Sequence, residues 1–169
     1  MNVLVFSDSH GKAGNIKRAL ERQLTQPCAV IFLGDGSRDF EYLDINAPTY
    51  AVRGNCDAWS MGVSDAPYEM LITLGGKRIF ITHGHNYGVK STLSPLIRRA
   101  AELDADIALF GHTHMPFEMR VDVDNEYGIS LSRPLLLMNP GSIGSYPYYF
   151  GCISISPGGE VLLSHGDLS

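Results

Sequence analysis

The sequence predicts an α/β fold in which two mixed β-sheets pack face to face and helices cover their outer sides, a four-layer αββα sandwich. In the first half of the 169-residue chain, apolar runs without alternation are each followed by a segment of helical periodicity, which is typical of parallel strands buried on both faces. In the second half, paired apolar runs flank turn residues and indicate antiparallel hairpins. Two mixed sheets with helices outside satisfy both halves.

The first half predicts three strands with helices between them. The elements in order are a strand over 2–7, a helix over 12–24, a strand over 29–33, a short helix over 38–43 and a strand over 49–52. Pro27 ends the first helical segment because proline cannot continue a helix. A strand–helix–strand order predicts parallel strands joined by a right-handed crossover.

The second half predicts further strands and one long helix. The elements are a loop over 58–67, strands over 68–74 and 78–82, a helix over 91–103, a strand over 106–110, a β-hairpin over 115–132, a strand over 135–138 and strands over 149–156 and 160–165. Turn residues at Gly75-Gly76, Asp124-Asn125 and Pro157-Gly158-Gly159 set the three hairpins. No repeat or linker interrupts the pattern, so we expect a single domain over 1–169.

Composition narrows the classes of function. The hydrophobic fraction is 44%, the charged fraction is 18% and the net charge is −5, with no run of Lys or Arg. A dedicated nucleic-acid surface is therefore not expected. Three widely spaced cysteines form neither a disulfide framework nor a C-x-x-C zinc site, which favours a reducing compartment. With no signal peptide and no apolar run of membrane-spanning length, the expected location is cytoplasmic, away from membranes.

Histidines and carboxylates gather where predicted strands end. Five of the six histidines lie in three short clusters, and each cluster directly follows an apolar run. The strand ends carry Asp8 and His10, Asp35, Asn55, His83 and His85, and His112 and His114. Sites in α/β sheets form at the carboxyl ends of strands, and carboxylate oxygen with imidazole nitrogen suits divalent metals. The sequence therefore predicts a metal site.

Taken in order, these strand-end motifs resemble the signature of calcineurin-like metallophosphoesterases. The motifs are Asp8-x-His10, Gly34-Asp35, Gly54-Asn55, His83-Gly84-His85 and Gly111-His112-Thr113-His114. The resemblance extends from the first strand to Asn139-Pro140-Gly141-Ser142. The small size of the chain and the Gly54-Asn55-Cys56-Asp57 form are similar to the compact bacterial and archaeal phosphodiesterase branch, of the YfcE type. That branch also resembles the vacuolar-sorting subunit of retromer.

The resemblance implies a site for two divalent metal ions. Asp8, His10 and His114 would hold one ion, Asn55, His83 and His112 would hold the second, and Asp35 would bridge the two. Mixed oxygen and nitrogen ligation suits manganese, nickel, iron or zinc better than magnesium, and manganese is the expected ion. Glycine before Asp35, Asn55 and His112 would let the backbone turn where a Cβ clashes.

The implied activity is hydrolysis of a small-molecule phosphodiester by a hydroxide that bridges the two ions. Two divalent ions carry four positive charges, and two aspartates with one hydroxide remove three. Neutral Asn55 and neutral imidazoles then leave about one positive charge, which suits a phosphodiester monoanion. The chain has little length for a cap domain, so we expect an open site.

The residue after Asn55 departs from the wider family pattern. Many members have a histidine there that is thought to protonate the leaving group, whereas this chain has Cys56. A thiol is a weak donor and, when deprotonated beside metals, a ligand. His85 is the candidate donor in its place, and its alternative role is to orient a metal ligand. Asp57 would either support a ligand or cap the turn.

Other residues are expected to have structural roles. Arg53 would be solvated at a strand end rather than bound to substrate phosphate, and His165 would lie on the surface. Cys28 and Cys152 would be small buried residues. The aromatic group Tyr146, Tyr148, Tyr149 and Phe150 would pack in the core. The same group could instead line the pocket or a dimer seam, which leaves a homo-oligomer open.

A second class of function uses the same fold. A non-catalytic metal-binding or protein-binding scaffold, like the retromer subunit, would have the same architecture, and fold alone does not decide between the two. Scaffolds need not keep every ligand, and here all seven ligand positions carry competent residues. The enzyme is therefore favoured. A nuclease on this fold is disfavoured because excess basic charge is absent.

Overall fold

The computed structural model describes residues 1–57 and 66–169, which form two five-stranded sheets and three α-helices. The first five strands are β1 (Asn2–Phe6), β2 (Ala29–Phe32), β3 (Thr49–Ala51), β4 (Glu69–Leu74) and β5 (Lys77–Thr82). The others are β6 (Ile107–Leu109), β7 (Pro116–Val121), β8 (Leu135–Pro140), β9 (Tyr149–Ile155) and β10 (Val161–Asp167). The helices are α1 (Ala13–Glu21), α2 (Ser37–Glu41) and α3 (Ser94–Glu102). Most of the predicted loop over 58–67 lies outside the described residues.

The first sheet has the strand order β10-β9-β1-β2-β3. Strands β1, β2 and β3 are parallel, with Val3 opposite Ala29 and Val30 opposite Thr49. The closing hairpin of β9 and β10 joins β1 in the antiparallel sense. All four residues of β2 and the last four of β1 are buried, as the absence of alternation in their sequences predicts.

The second sheet has the order β4-β5-β6-β8-β7, with a parallel centre of β5, β6 and β8 and antiparallel edges. The prediction of a β-hairpin over 115–132 is wrong, because β7 pairs with β8 instead. Asn125 explains the difference. Its amide nitrogen donates to the carbonyl oxygens of Asp122 and Ile129, which replaces a strand ladder with a loop held by a side chain.

Three hydrophobic clusters confirm the four-layer αββα architecture. Between the sheets, side chains from β1 and β2 meet those of β5 and β6, for example Val5 and Ile31 against Ile81 and Leu109. Outside the first sheet the core includes Ile16 of α1, and outside the second it includes Leu96 and Ile97 of α3. Each such large apolar side chain stabilises the fold by about 1.5–3 kcal/mol on burial.

Helix ends differ from prediction where the local environment decides. Helix α1 stops at Glu21 rather than residue 24, and Leu24 is fully exposed because no core lies against it. Helix α3 begins at Ser94 rather than residue 91, with Pro95 in the first turn, where its fixed φ favours helix and its missing N–H is not needed. A turn of 3-10 helix over His85–Tyr87 was not predicted.

Two of the expectations about buried residues need correction. Cys28 is exposed at the start of β2, whereas Cys152 in β9 is partly buried. In the aromatic group, Phe150 packs against Phe6 in the core, but Tyr146 is 75% exposed. No helix in the described parts of the chain combines the length and the hydrophobicity needed to cross a membrane.

Candidate metal centre

The predicted ligands follow strand ends of both sheets, and these ends meet. Asp8 and Asp35 follow β1 and β2 of the first sheet, whereas His83 follows β5 of the second. Nε2 of His83 lies 3.4 Å from Oδ2 of Asp35 and 4.0 Å from Oδ1 of Asp8. The candidate site therefore lies where the carboxyl ends of parallel strands in the two sheets come together.

Asp8, His10 and His114 form a first group of possible ligands. Nε2 of His114 lies 3.1 Å from Oδ1 of Asp8, and Nε2 of His10 lies 3.9 Å from the same oxygen. The two imidazole nitrogens are 3.3 Å apart, and one ligand atom from each residue lies within 4.8 Å of the others. One carboxylate oxygen and two imidazole nitrogens at this spacing suit a divalent cation.

Asp35, His83 and His112 form a second group, whose ligand atoms also lie within 4.8 Å of one another. The rings of His83 and His112 have their centroids 5.0 Å apart. Nδ1 of His83 lies 2.8 Å from the carbonyl oxygen of Leu33, which can only accept a hydrogen bond. The proton is therefore on Nδ1, and Nε2 is the atom available to ligate a metal. In metal sites the hydrogen bond of the other ring nitrogen fixes the histidine tautomer in this way.

Two buried atoms of the cluster fit a cation. Asp8 Oδ1 and His83 Nε2 have no hydrogen-bond partner within residues 1–57 and 66–169, and both side chains are fully buried. An unpaired buried carboxylate oxygen or ring nitrogen is costly unless another group satisfies it. A divalent cation between these atoms satisfies both, so the residues fit the metal that their chemistry suggests.

Strong electrostatic coupling surrounds Asp35 and His83. Burial alone would raise the pKa of Asp35, but the imidazole of His83, 3.4 Å from its carboxylate, holds that pKa far below its usual range. Burial alone would lower the pKa of His83, but the carboxylates of Asp35 and Asp8 outweigh it and raise that pKa. The negative charge of Asp8 and Asp35 is thus concentrated where the strand ends of the two sheets meet, and this charge would stabilise a bound cation.

The two histidines after β6 have opposite pKa shifts. Burial, followed by the positive charges of His83 and Lys90, lowers the pKa of His112 to about 4. The Asp8 carboxylate, whose Oδ1 lies 3.1 Å from Nε2, raises the pKa of His114, although burial and the charge of Lys90 oppose this. His112 is therefore a neutral imidazole at neutral pH, the form that can ligate a metal.

The backbone around the cluster is unusual. In the described parts of the chain, six non-glycine residues have positive φ, and five of them are predicted ligands. The five are Asp8 (φ 55°), His10 (45°), Asp35 (58°), His112 (67°) and His114 (62°). Left-handed backbone is disfavoured for residues with a Cβ and persists where the surrounding structure imposes it. The surrounding structure therefore holds these five residues in a locally unfavourable backbone conformation that orients their side chains toward the cluster.

Close packing explains two of the glycines that precede predicted ligands. A Cβ on Gly54 would lie 2.1 Å from Oδ1 of Asp35. A Cβ on Gly111 would lie 1.9 Å from the hydroxyl oxygen of Ser7 and 2.9 Å from Oδ2 of Asp8. Only glycine permits these approaches, as the sequence pattern predicts.

Ser7 fixes the orientation of the Asp8 carboxylate. Its hydroxyl donates to Oδ2 of Asp8 at 2.5 Å, and the backbone N–H of His112 donates to the same oxygen at 3.1 Å. Because Oδ2 is engaged in these hydrogen bonds, Oδ1 is the oxygen that faces His83 and His114. The role of Ser7 has no signature in the sequence, because a serine at a strand end has no pattern that distinguishes it from a helix cap.

Asp57 holds together the loops that follow β2 and β3, which carry the predicted ligands Asp35 and Asn55. Its Oδ2 accepts the backbone N–H of Asp35 and of Gly54, each at 2.8 Å. Its Oδ1 accepts the N–H of Gly36 and of Ser37, each at 2.9 Å. Burial acts to raise the pKa of Asp57, but these hydrogen bonds outweigh it and lower the pKa. Asp57 therefore supports a ligand through the backbone and caps the turn, which combines both predicted alternatives.

The turn over residues 139–142 supports the loops from the other side. The side-chain amide of Asn139 donates to the carbonyl oxygen of Gly111 at 2.7 Å and to Oγ1 of Thr113 at 3.1 Å. The hydroxyl of Ser142 donates to the carbonyl oxygen of Asp8 at 2.9 Å. In the sequence this turn marks the end of the resemblance, and no residue pattern there predicts these contacts.

Asn55, Cys56 and His85 border the cluster. Asn55 is exposed, and its amide nitrogen donates to Sγ of Cys56 at 3.3 Å. Sγ of Cys56 groups with ligand atoms of His10 and Asp35 within 4.8 Å. Burial, then hydrogen bonding and charge from Asp35, raise the pKa of the Cys56 thiol to about 11, which keeps it protonated at neutral pH.

His85 lies close to the second group without joining it. Its ring centroid is 5.4 Å from that of His83 and 6.2 Å from that of His112. Burial, followed by the charge of His83, lowers its pKa. Its Nδ1 is buried with no hydrogen-bond partner among the described residues. This position is compatible with either role expected from the sequence.

Two residues expected to be solvated are not. The Arg53 guanidinium lies 3.9 Å from the ring centroid of Tyr68, a cation–π contact, and its Nε is buried. Nε2 of His165 lies 2.7 Å from the carbonyl oxygen of Asn139, and its Nδ1 lies 2.9 Å from Glu118. Tertiary contacts of this kind leave no local sequence signal.

Comparison with known proteins adds independent information. A family model for the calcineurin-like phosphoesterase superfamily domain matches residues 1–156. The probable metallophosphoesterase YsnB of Bacillus subtilis is 36% identical over 143 residues, which cover 85% of this chain and 75% of YsnB. The phosphodiesterase YfcE of Escherichia coli is 27% identical, with 90% and 87% covered. Vacuolar protein sorting 29 from Cryptosporidium parvum has a similar structure, with a TM-score of 0.71, 18% identity and coverage of 99% and 97%.

Proposed function

The chain belongs to the calcineurin-like phosphoesterase superfamily, and from this premise we propose that it is a metal-dependent phosphodiesterase that hydrolyses small phosphodiesters. The observation that carries the proposal is the pair of ligand groups joined by the 4.0 Å approach of His83 to Asp8. Asp8 Oδ1 and His83 Nε2, two buried atoms with no hydrogen-bond partner in the described parts of the chain, face each other across this junction, which favours a centre for two divalent cations over two separate sites.

The proposed ligand roles follow the two groups. Asp8, His10 and His114 would hold one cation, while His83 and His112 would hold the other with Asn55. Asp35 would contact both cations, because its carboxylate belongs to the second group and also approaches His10 of the first. The proposed cations are manganese first, with nickel, iron or zinc as alternatives on the same mixed donor set.

The chemistry that two divalent cations supply in such a centre is polarisation of phosphoryl oxygens and activation of water near neutral pH. The protein residues orient the substrate. Asn55 is exposed at the rim, so its amide can also donate to a phosphoryl oxygen. Two aspartates against two divalent ions leave an excess of positive charge that suits a monoanionic diester better than an electroneutral ester.

Protonation of the leaving group falls to Cys56 or His85 in this proposal. The Cys56 thiol keeps its proton at neutral pH because its pKa is about 11, but an acid that weak favours leaving groups that need little assistance. Because the pKa of His85 is lowered, its cationic, proton-donating form is already scarce when the pH reaches the ordinary value of 6.5. His85→Ala should therefore remove pH dependence on the basic side of the rate profile; an unchanged profile would exclude His85 as the acid.

The names of the relatives support the same reaction class. YfcE is named a phosphodiesterase and YsnB a probable metallophosphoesterase, and the chain spans most of the length of each. Vacuolar protein sorting 29 supports the fold alone at 18% identity. A protein-binding scaffold on this fold is the alternative, and turnover separates the two.

The experiment is a hydrolysis assay with metal-stripped protein and bis-para-nitrophenyl phosphate. We expect turnover to return with manganese and to exceed turnover of the monoester para-nitrophenyl phosphate. Asp35→Asn should be inactive, whereas Asp124→Asn, an exposed loop position, should match the unmodified protein. No activity with manganese, nickel, iron or zinc would refute the enzyme and favour the scaffold.

A further inference from the structure

A cavity of about 330 Å³ opens beside the candidate metal centre, next to the core between the second sheet and α3. Its lining includes Val89, Leu93, Phe110, Thr113, Met115 and Phe117. The volume lies at the lower end of the range of small-molecule sites, which is enough for one ring or a branched alkyl group.

The segment after β6 connects the cavity to the ligand groups. His112 and His114 contribute imidazoles to the two groups, whereas Thr113 and Met115 line the cavity. Thr113 stands between the two imidazoles in the chain, so the segment 112–115 contributes both to the ligand groups and to the cavity wall. A phosphoester held at the centre therefore has this cavity as a neighbouring apolar surface for one of its substituents.

The cavity wall is almost entirely apolar. Phe110 and Val89 are buried, and Phe110 meets Phe117 edge to face with centroids 6.1 Å apart. Met115 is 68% exposed and adaptable, as methionine is at binding surfaces. The hydroxyl oxygen of Thr113 already accepts hydrogen bonds from Asn139 and from the backbone of Met115. The wall thus offers few polar contacts to a sugar or a nucleobase.

Positive charge lies near the ligand groups, on the residue that follows Val89 of the cavity wall. Lys90 follows Val89 of the cavity wall, is exposed, and is close enough for its charge to act on both His112 and His114. A cation at this place attracts an anionic head group while the cavity receives an apolar one. The positive charge and the apolar cavity together suit a ligand that is an anion with an apolar substituent.

We propose that this cavity binds the apolar organic group, aryl or branched alkyl, of the phosphoester held at the neighbouring metal centre. The inference rests on the proposed function and specifies its substrate class. Esters of apolar alcohols or phenols are the expected substrates, and esters whose two substituents are both small or strongly polar should bind more weakly.

The test compares two phosphonates that share a head group. Phenylphosphonate and methylphosphonate differ only in the group that would enter the cavity, and neither is hydrolysed. Their binding to the zinc-loaded protein is measured by calorimetry, and the methionine methyl groups are followed by NMR, since zinc is diamagnetic. Burial of a phenyl ring in place of a methyl group should tighten binding roughly tenfold.

Met115→Gln removes apolar wall at an exposed position, and Leu162→Gln on β10 is the matched control at 66% exposure. We expect the phenyl preference to fall at least threefold in Met115→Gln only, and the Met115 methyl signal to shift with phenylphosphonate but not with methylphosphonate. Equal affinities, no binding, or a phenyl preference that leaves Met115 unshifted would overturn the inference. Hydrolysis of bis-para-nitrophenyl phosphate with no phenyl preference would overturn the subsite alone and leave the proposed function standing.

Discussion

His83 and Asp35 join the two sheets, with 3.4 Å between the imidazole Nε2 and the carboxylate Oδ2. The histidine follows β5 and the aspartate follows β2, and both side chains are buried. Because the two residues belong to different sheets, the apolar core between the sheets sets their separation. The metal centre is therefore a property of the whole sandwich, and substitutions that loosen the loop supports should weaken both stability and metal binding.

Asp57→Asn should destabilise the fold by roughly 3 kcal/mol, because two of the four backbone N–H groups around the buried carboxylate would face an amide NH₂ instead of an oxygen. Urea unfolding followed by circular dichroism measures the change. Asp44→Asn at an exposed position is the control and should have almost no effect. A loss below about 1 kcal/mol would contradict the role assigned to Asp57.

Ser7→Ala should weaken metal binding about tenfold while leaving the fold intact, since the change removes the hydroxyl that fixes Oδ2 of Asp8. The measurement is manganese affinity by electron paramagnetic resonance or calorimetry. Ser154→Ala, which removes a hydroxyl from β9 that contacts Asn2, is the matched control. Unchanged affinity in Ser7→Ala would show that Asp8 needs no orientation by its neighbour.

Gly54→Ala should impair both stability and metal loading. The new Cβ would lie 2.1 Å from Oδ1 of Asp35, so the carboxylate or the β3 loop must move, at a cost of about 1–3 kcal/mol. Gly14→Ala in α1 meets no atom within 4 Å and should be neutral or slightly stabilising. Thermal unfolding and metal content measured on the same samples test the pair, and equal behaviour of the two variants would refute the packing argument.

A pH-dependent contribution to stability is expected from Glu69 on β4. Tyr87 donates a short hydrogen bond to one of its carboxylate oxygens, and Arg99 of α3 donates to the other at 2.8 Å and 3.1 Å. Burial acts to raise the pKa of Glu69, but these contacts outweigh it and lower the pKa. The contribution is therefore fully present above the ordinary value of 4.5 and is lost as the pH falls through the lowered pKa.

Glu69→Gln tests this contribution. The variant should be less stable than the unmodified protein at pH 7, by no more than about 1 kcal/mol because the ion pair is partly exposed, and the difference should vanish in acid. Unfolding midpoints at pH 7 and below pH 4 give the comparison, with the exposed Glu126→Gln as control. A difference that persists or grows in acid would contradict the sign of the shift.

The sequence is sufficient to predict the layers because strands buried on both faces leave a periodic signal, and the ordered motifs predict the candidate ligands at the strand ends. Unalternated runs such as residues 2–7 become strands buried on both faces, and Asp8 to His114 appear in the order of the parallel strands. The hairpin over 115–132 failed because a single side chain, Asn125, organises its loop. Turn composition alone does not distinguish these outcomes.

Supporting contacts were beyond sequence reasoning for a physical reason. Asp57 binds backbone N–H groups, which every non-proline residue offers, so its partners have no residue type to recognise. Ser7 acts through a single hydrogen bond to the side chain of the next residue, and Asn139 donates to the backbone carbonyl of Gly111, which is distant in the chain. Arg53 stacks on Tyr68 across a gap of 15 positions in the sequence. Such contacts are set by tertiary packing and have no local periodicity.

The most direct test of the central claim is the number of manganese ions bound per chain. Metal-stripped protein is dialysed against manganese and counted by mass spectrometry, alongside Asp35→Asn and the exposed control Asp124→Asn. The two ligand groups and their shared aspartate predict two ions per chain in the unmodified protein and in the control, and loss of both ions in Asp35→Asn. One ion or none in the unmodified protein, or two ions retained by Asp35→Asn, would contradict a binuclear centre built around Asp35.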